Sequence, residues 1–290
     1  MNDYKAIKMI DFSADQIDQI RILEQLCKNF DRSSLRVGVE SLKADGGDHA
    51  FLCLNGNQII GFVSWYTSDE IEANINGMVH PDYRGQGIFR KLMKSVAAEL
   101  KEQGIGTCRL RVPANSRPGI ACIQHLGADF STSEFTMNLT RSPADTPHPF
   151  RLVVRPAEAR DFEFLVQCSA QAFGDSESWT RNYFLHTNKP ERVTYIAWDG
   201  PAPVGIIRVN HLDTATAVIH DFCVLTSCQG RGYGREILTR AVNILLTKRY
   251  SSIRLGVVTD NRRALNLYQS VGFEVTAESH YYVTPVANLS

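Results

Sequence analysis

The fold is decided by residues 220–238, HDFCVLTSCQGRGYGREIL, together with a second stretch at residues 75–93, INGMVHPDYRGQGIFRKLM. In both stretches a run with strand composition leads into a glycine-rich loop, and the loop leads into residues with helical spacing. The loop glycines Gly87 and Gly232 are 145 positions apart, half of the 290-residue chain. The repeat therefore predicts a duplicated domain.

The same separation holds at positions far from the loops. It pairs Val79 with Val224 and Gly127 with Gly272. An offset shared over such distances is not expected by chance. Because there are only two copies, we expect a two-domain protein rather than a solenoid.

The join between the copies is also visible. Residues 142–149, SPADTPHP, are polar and contain three prolines, which disfavour a helix and suit an extended linker. We therefore expect an N-terminal domain at 1–141 and a C-terminal domain at 150–290.

Both halves have the same predicted order of elements. In the C-terminal half a helix at 159–173 precedes short β-branched and aromatic runs separated by turns, which indicate an antiparallel meander. An amphipathic helix follows from Gly234, then a buried strand at 253–258, a helix at 261–271 and two closing strands, FEVTA and HYYVTPV. The fold class predicted is α/β (α+β, mixed sheet), with a largely antiparallel sheet flanked by helices in each domain.

Composition argues against several classes of protein. Lys and Arg total 31, and Asp and Glu also total 31, so the formal net charge is zero. The sequence has no stripe of basic residues, and we therefore expect no nucleic-acid partner. The seven cysteines lack CxxC spacing, unlike a disulfide scaffold or structural zinc site, and we expect no metal. No apolar run approaches ~20 residues, so we expect no membrane segment and a cytoplasmic location.

The loop at 229–234, QGRGYG, has the composition of an anion site. Glycines permit positive φ and let backbone N–H groups approach a ligand, and the following helix adds its own free N–H groups. Arg231 and Arg235 can add charge-assisted contacts to phosphate. A plain glycine turn before a helix is the simplest alternative, but two copies in matching context favour the anion site.

Two other phosphate-binding loops fit less well. A Walker loop requires Gly-Lys followed by Ser or Thr, which this loop lacks. A dinucleotide-binding loop requires an early βαβ unit and an acidic residue ~20 positions later, whereas the next strand here reads SSIRLGVV.

Beyond the loop, the motif N-x-x-A-x-x-x-Y-x-x-x-G-F runs from Asn261 to Phe273. Together with Q-x-x-G-x-G at the loop, it resembles the GNAT superfamily of acyl-CoA-dependent N-acyltransferases. The resemblance covers both halves and is most specific from Asp221 to Phe273. It is closest to the tandem two-domain type, whose duplicated members include mycothiol synthase.

The resemblance implies acetyl-CoA as the cosubstrate. In the C-terminal copy, strand residues would pair with the pantetheine arm, loop amides would bind the pyrophosphate, and an asparagine follows the next strand. These residues are Phe222, Cys223, Val224, Gln229, Gly230, Arg231, Gly232, Tyr233, Gly234, Arg235 and Asn261. The corresponding N-terminal residues, which could still bind pyrophosphate, are Val79, Arg84, Gly85, Gln86 and Gly87.

Transfer of an acyl group to an amine requires a proton acceptor for the amine and a proton donor for the departing thiolate. The resemblance implies that Tyr268 is the donor. His220 and Asp221 are candidate bases, with ordered water as the alternative. Because successive side chains of a strand point to opposite faces, we expect only one of the two to face the substrate.

The N-terminal copy departs from the pattern where chemistry would occur. Phe89 replaces the third loop glycine, and Ile123 stands opposite Tyr268. Ile75 and Asn76 stand opposite the two candidate bases, and neither can accept a proton. We expect a degenerate domain that can hold acyl-CoA but contributes little to catalysis.

These features predict an N-acetyltransferase that acetylates a primary amine of a small molecule or peptide in the C-terminal domain. The alternatives are a non-catalytic acyl-CoA-binding sensor or scaffold and, less favoured, an ATP- or NAD-dependent enzyme. Residues 176–184 and the aromatic run His280, Tyr281 and Tyr282 are candidates to line the acceptor site, although the run could instead complete the sheet. We expect a monomer or homodimer.

Overall fold

The computed structural model describes residues 4–39, 42, 49–67, 69–143 and 150–289. Most of the expected linker at 142–149 lies outside these residues. The chain divides into two compact units: unit 1 is Met1–Ser133 with Ala277–Ser290, and unit 2 is Glu134–Thr276.

The first half of the sequence forms six strands and three helices within the described ranges. They are β1 Ala6–Lys8, α1 Ala14–Asp31, β2 His49–Asn55, β3 Gln58–Tyr66, β4 Glu72–Val79, α2 Ile88–Glu102, β5 Thr107–Pro113, α3 Arg117–Leu126 and β6 Asp129–Leu139. The second half repeats this order with one additional helix, α5. Its elements are β7 Val153–Pro156, α4 Phe162–Phe173, α5 Glu177–His186, β8 Arg192–Asp199, β9 Ala202–His211, β10 Thr216–Val224, α6 Tyr233–Thr247, β11 Ser252–Val258, α7 Arg262–Val271 and β12 Phe273–Pro285.

Each unit contains a mixed sheet, and this confirms the predicted fold class. In unit 1, β1 to β4 pair antiparallel in sequence order, β5 joins β4 in parallel, and β12 joins β5 antiparallel. In unit 2, β7 to β10 pair antiparallel, β11 joins β10 in parallel, and β6 joins β11 antiparallel.

The closing strand of each sheet comes from the other half of the sequence. Residues 279–285 of β12 pair with β5 in unit 1, and residues 134–138 of β6 pair with β11 in unit 2. The boundaries of the units therefore differ from the expected domain boundaries of 1–141 and 150–290, which follow the duplication.

The two closing strands expected near the C-terminus are one strand, β12. The prediction of two strands was wrong because no glycine or proline interrupts the backbone between Phe273 and Thr284.

Helices cover both faces of the sheet in unit 2. Successive strand residues point to opposite faces, so Tyr195 packs in one core and Ile196 in the other. The first core lies beneath α6 and α7, and the second beneath α4 and α5. No helix within the described residues is long and apolar enough to cross a membrane.

The parallel strands of unit 2 separate toward their carboxyl ends. Pairing between β10 and β11 runs from Thr216 opposite Ser252 to Ile219 opposite Leu255 and ends there. Beyond that point β10 continues beside β9, and β11 continues beside β6. An opening therefore forms along residues 220–224 of β10. In unit 1, the pairing of β4 with β5 ends in the same way at Ile75 opposite Leu110.

Candidate functional site

The glycine loop of unit 2 leads from the open edge of β10 into α6. Gly230 and Gly232 have φ values of 79° and 84°, which L-residues rarely adopt. A Cβ at either position would meet no heavy atom within 4 Å, so packing does not require these glycines. The backbone of the loop is therefore free of side-chain cover and accessible to a ligand.

The third loop glycine, Gly234, has a different role. It lies in the first turn of α6, where a Cβ would be 3.2 Å from Leu267 Cδ2 and 3.8 Å from Phe222 Cζ. A glycine here allows α6 to approach α7 and β10 closely.

The first turn of α6 presents backbone N–H groups for an anion. Gly232 precedes the helix and provides no side-chain cap. The N–H of Glu236 bonds to Gly232 O, so the N–H groups of the three residues before it have no acceptor four residues back in the helix. Arg235 is exposed beside these groups, whereas Arg231 donates to Ser227 O at 3.3 Å. This arrangement suits a pyrophosphate.

The side chain of Tyr233 is directed away from the loop surface. It is buried, and its hydroxyl donates to Asp199 Oδ2 at 2.6 Å. The same carboxylate pairs with Arg151. Only the backbone of Tyr233 is therefore suited to bind a ligand.

The loop is tied to the open strand and to α7. Gln229 Nε2 donates to Val224 O at 3.2 Å, and Gln229 Oε1 accepts from Arg263 Nη1 at 3.0 Å. At the start of α7, Asn261 Oδ1 accepts from the N–H of Ala264 at 3.0 Å. These bonds hold the loop and the ends of β10 and β11 in one arrangement.

The open strand presents mainly its backbone. Leu225 N donates to Val204 O of β9, so the alternate residue Val224 directs its backbone to the open side. The Cys223 side chain points into the core beneath α4, with its Sγ 3.7 Å from the Sγ of Cys168. The hydrogen bond with Cys168, followed by burial, raises the pKa of the Cys223 thiol well above its ordinary value.

His220 and Asp221 do not follow the alternation of side chains that a regular strand would give them. A β-bulge interrupts the register between His220 opposite Arg208 and Cys223 opposite Ile206, and Asp221 has a φ of 45°. The extra residue breaks the alternation of side chains. As a result His220 Nδ1 lies 3.2 Å from Asp221 Oδ2.

The Asp221 carboxylate is held by two further donors. Its Oδ2 accepts from Arg208 Nη1 at 3.0 Å and from the Tyr183 hydroxyl at 3.0 Å. Burial opposes ionisation, but the hydrogen bond and charge of His220, the charge of Arg208 and the hydrogen bond of Tyr183 hold the pKa of Asp221 at about 2. Asp221 is therefore an anion at neutral pH.

The other ring nitrogen of His220, Nε2, is buried and forms no hydrogen bond within the described residues. Burial lowers the pKa of His220, and the positive charges of Arg192 and Arg208 lower it further. Asp221 has the opposite effect and raises it. A neutral imidazole with one unpartnered nitrogen can accept a proton.

Tyr268 lies on α7 beside the bulged strand. Its ring centroid is 6.3 Å from that of Phe222 and 6.4 Å from that of Phe273. The side chain is 9% exposed, and burial raises the pKa of its hydroxyl to about 12. The hydroxyl is therefore protonated at neutral pH and can act as a donor.

The sequence alone did not indicate Arg208 and did not distinguish Tyr183 from its neighbours. Arg208 interrupts the apolar run VGIIRVN of β9, and this buried charge was the available signal. Tyr183 lies within the 176–184 stretch, which forms most of α5, and Trp179 stacks on it with ring centroids 5.4 Å apart.

The aromatic run His280, Tyr281 and Tyr282 completes the sheet of unit 1. These residues pair with Val112, Arg111 and Leu110 of β5, respectively.

The corresponding loop of unit 1 keeps its shape but differs in its contacts. Gly85 and Gly87 have φ values of 75° and 79°, and a Cβ at either would again meet nothing within 4 Å. Arg84 Nε donates to Val79 O at 3.0 Å, as Gln229 does to Val224 O. Its guanidinium also pairs with Asp31, the last residue of α1.

Asn115 of unit 1 has a different role from Asn261. Its Nδ2 donates to Arg32 O at 2.9 Å, and its Oδ1 accepts from the N–H of Ser34 at 3.4 Å. The segment after α1 is thus bonded near the carboxyl ends of both β4 and β5. Ile123 and Ile75 are buried in the core of the unit, and neither can transfer a proton.

Gln86 and Phe89 also have protein contacts. Gln86 Nε2 donates to Asp82 O at 3.4 Å. The Phe89 ring packs near Gly77, where a Cβ would lie 3.0 Å from Phe89 Cε2. Within the described parts of the chain, no group of three or more His, Cys, Asp or Glu side chains is placed to hold a metal ion.

The splayed parallel strands and the glycine loop before a helix define a duplicated acyltransferase-type fold. The sequence matches the acetyltransferase (GNAT) family twice, at residues 17–128 and 157–273. The chain therefore belongs to this family, whose general reaction is acyl-CoA-dependent N-acetylation, as a tandem member.

Two named acetyltransferases are similar to different shares of the chain. Mycothiol acetyltransferase from Renibacterium salmoninarum is 23% identical over 242 residues, covering 73% of this chain and 68% of its own. The [ribosomal protein bS18]-alanine N-acetyltransferase of Haemophilus ducreyi is 36% identical over 75 residues, which cover 26% of this chain and 50% of that protein.

Solved structures share the fold over nearly the full length. A GCN5-related N-acetyltransferase from Sphaerobacter thermophilus has a TM-score of 0.76 at 17% identity and covers 97% of this chain and 96% of its own. A tandem GNAT protein from the clavulanic acid biosynthesis pathway has a TM-score of 0.71 at 16% identity. The match covers 98% of this chain and 99% of that protein's chain.

Proposed function

We propose that this protein is an N-acetyltransferase that transfers an acetyl group from acetyl-CoA to a primary amine at a site in unit 2. The observation that carries the proposal is the position of His220 and Asp221. They follow directly after Ile219, the last residue of β10 that pairs with β11, and the same strand ends at the glycine loop. Proton-transfer groups and an anion cradle thus share one opening.

The residues that would hold acetyl-CoA fit its parts. The uncovered backbone of Gly230 and Gly232 and the first turn of α6 suit the pyrophosphate. The open edge of β10 offers backbone groups at Val224 to the amide-containing pantetheine arm. Acetyl-CoA supplies the acetyl group as a thioester with a thiolate leaving group.

The side chains of the opening can move the two protons of the reaction. His220 Nε2 accepts one proton from the substrate ammonium, which leaves a neutral amine to attack the thioester carbonyl, and Asp221 stabilises the charge that then forms on the imidazole. As the C–S bond breaks, Tyr268 donates its hydroxyl proton to the departing thiolate, and the second proton of the amine nitrogen replaces it. An alkyl amine has a pKa near ~10 and a thiol near ~8.5, so both transfers benefit from positioned groups.

Catalysis is assigned to unit 2 because unit 1 lacks these groups. Ile75 and Ile123 replace the base and the donor, and Asn115 binds the segment after α1. Each of these differences removes a function from the opening of unit 1.

Paired glycine variants test this proposal. Calorimetric titration of acetyl-CoA into wild type should give about one site per chain. Gly232→Asp should abolish binding because it places a carboxylate in the cradle, whereas Gly87→Asp, at a matching φ in unit 1, should not. Release of CoA in the presence of a panel of primary amines (spermidine, 2-phenylethylamine, glycinamide and an alanine-terminated peptide) should follow the same pattern. Loss of binding in Gly87→Asp alone would refute the assignment.

A further inference from the structure

Arg208 is a buried cation in the middle of an apolar strand. Its side chain is 2% exposed, and its guanidinium lies 4.5 Å from the centroid of Phe184. Nη1 donates to Asp221 Oδ2 at 3.0 Å and to Thr187 Oγ1 at 3.1 Å, and Nη2 donates to Thr187 O at 3.3 Å. Burying such a charge is costly unless it is paired, and its charged partner is Asp221.

Arg208 helps to hold the Asp221 carboxylate in place beside His220. Asp221 lies in a bulge with a positive φ, a conformation that persists only when its surroundings hold it. Arg208, Tyr183 and His220 converge on the same carboxylate oxygen. An ionised carboxylate can only accept, so the His220 Nδ1 beside it carries the proton. The lone pair of the ring is then on Nε2, which has no hydrogen-bond partner in the part of the chain that the structure describes.

We propose that Arg208 is a positioning residue for the transfer reaction, acting through Asp221 to hold His220 as the tautomer with its lone pair on Nε2. The inference rests on the proposed role of His220 as the base. Arg208 itself is enclosed by Asp221, Thr187 and Phe184, and it is not required to touch a substrate.

The charged and titratable groups that face His220 determine the sign of the effect. They are Asp221 on its own strand, Arg208 on β9 and Arg192 on β8, while Tyr183 of α5 reaches the same carboxylate. Asp221 stabilises an imidazolium, and the two arginines destabilise it. Removal of Arg208 leaves the carboxylate uncompensated and raises the pKa of His220. The base is then protonated at a higher pH.

The test is the pH dependence of kcat/KM, measured with the panel amine that gives the highest rate. Arg208→Met should lower kcat/KM at pH 7 by about 10- to 100-fold and move its acid limb up by about one pH unit. Arg208→Lys, which keeps the charge, should restore the position of the limb. Asp221→Asn should move the limb in the opposite direction. A residue that only supports the fold would lower the rate without moving the limb.

Two controls separate the possible failures. Acetyl-CoA titration shows whether each variant is folded and binds the cosubstrate. If His220→Ala keeps the wild-type rate, the base of the proposed function is wrong and the inference fails with it. If His220→Ala is inactive but Arg208→Met retains the wild-type pH profile, the inference alone fails.

A measurement on wild type avoids the risk that Arg208→Met does not fold. The ¹⁵N shifts of His220 at neutral pH should report the tautomer protonated at Nδ1. A ring protonated at Nε2 would overturn the proposal.

Discussion

The guanidinium of Arg84 forms a two-bond ion pair with the carboxylate of Asp31, with N–O distances of 2.6 and 2.8 Å. This pair joins the glycine loop of unit 1 to the end of α1. Asn115 bonds the next residues of the same segment, so the chain after α1 is attached on both sides of the opening. We propose that this attachment makes the opening of unit 1 a poorer site for a pantetheine arm than the opening of unit 2.

The first prediction concerns the stability that this ion pair provides. Asp31→Ala should lower the free energy of unfolding by about 2–4 kcal/mol because it leaves a half-buried guanidinium without its partner. The Asp31 side chain is 8% exposed and that of Arg84 is 26% exposed. Urea denaturation measures the change.

Asp18→Ala on the same helix is the matched control. Asp18 pairs with Arg21, but both side chains are about 60% exposed. Exposed pairs contribute ~0–1 kcal/mol. Equal losses in the two variants would contradict the structural role of the Asp31 pair.

The sequence predicted those features of the fold that are local in the chain. Strand composition, helical periodicity and the glycine loops give the order of elements in each half, because each signal lies within about 20 residues. The exchange of β6 and β12 could not be predicted in this way. Both halves contain an equivalent closing strand, and the choice of partner depends on contacts between residues that are distant in sequence.

The sequence names candidate residues for the site but not their geometry. Tyr268 is a candidate because of the family resemblance, and His220 and Asp221 because they lie on the strand before the glycine loop. The bulge that brings His220 and Asp221 together has no sequence signal comparable to a glycine. Arg208 was missed because a charged residue in a strand is normally assigned to solvent. Its burial is explained only when Asp221 is known to form an ion pair with it.

The second prediction tests the close approach of β9 and β10 beside the bulge. A Cβ at Gly205 would lie 2.6 Å from the backbone oxygen of Cys223 and 3.0 Å from Ile237 Cδ1. Gly205→Ala should therefore destabilise the protein by about 1–3 kcal/mol, because the backbone must shift. It should also weaken acetyl-CoA binding.

Gly256→Ala on β11 is the control for this variant. A Cβ at Gly256 would contact only Glu134 Oε2, at 3.8 Å, which is an ordinary contact. Thermal unfolding of the two variants should show a clear loss for Gly205→Ala alone. A wild-type melting temperature for Gly205→Ala would show that β9 and β10 are not packed as described.

The third prediction concerns the proton donor. Tyr268→Phe should lower kcat by about 10²-fold or more, because the departing thiolate loses its proton source. Stability and acetyl-CoA affinity should change little, since the substitution removes a single oxygen atom and keeps the ring beside Phe222 and Phe273. Tyr195→Phe, another buried tyrosine of the same core, should retain wild-type kcat. Full activity of Tyr268→Phe would reject the assignment of the donor.

The last prediction follows from the ionisation of Asp221. Its pKa is about 2 in the folded protein, whereas an unfolded aspartate has a pKa near ~3.9. A group whose folded pKa is depressed stabilises the fold above its unfolded pKa and loses that contribution as the pH falls through its folded pKa. Asp221 should therefore contribute on the order of 2 kcal/mol at neutral pH, and this contribution should decline between about pH 4 and pH 2.

Comparison with Asp221→Asn isolates this contribution because the amide cannot titrate. Urea unfolding of both proteins at pH 6, 5, 4 and 3 should show a gap in unfolding free energy that is constant at the higher values and narrower at pH 3. The part of the gap that persists reflects the lost hydrogen-bond geometry with Arg208 and Tyr183. A gap that stays constant down to pH 3 would mean that the charge of Asp221 does not stabilise the fold, and Arg208 would then require another counterion.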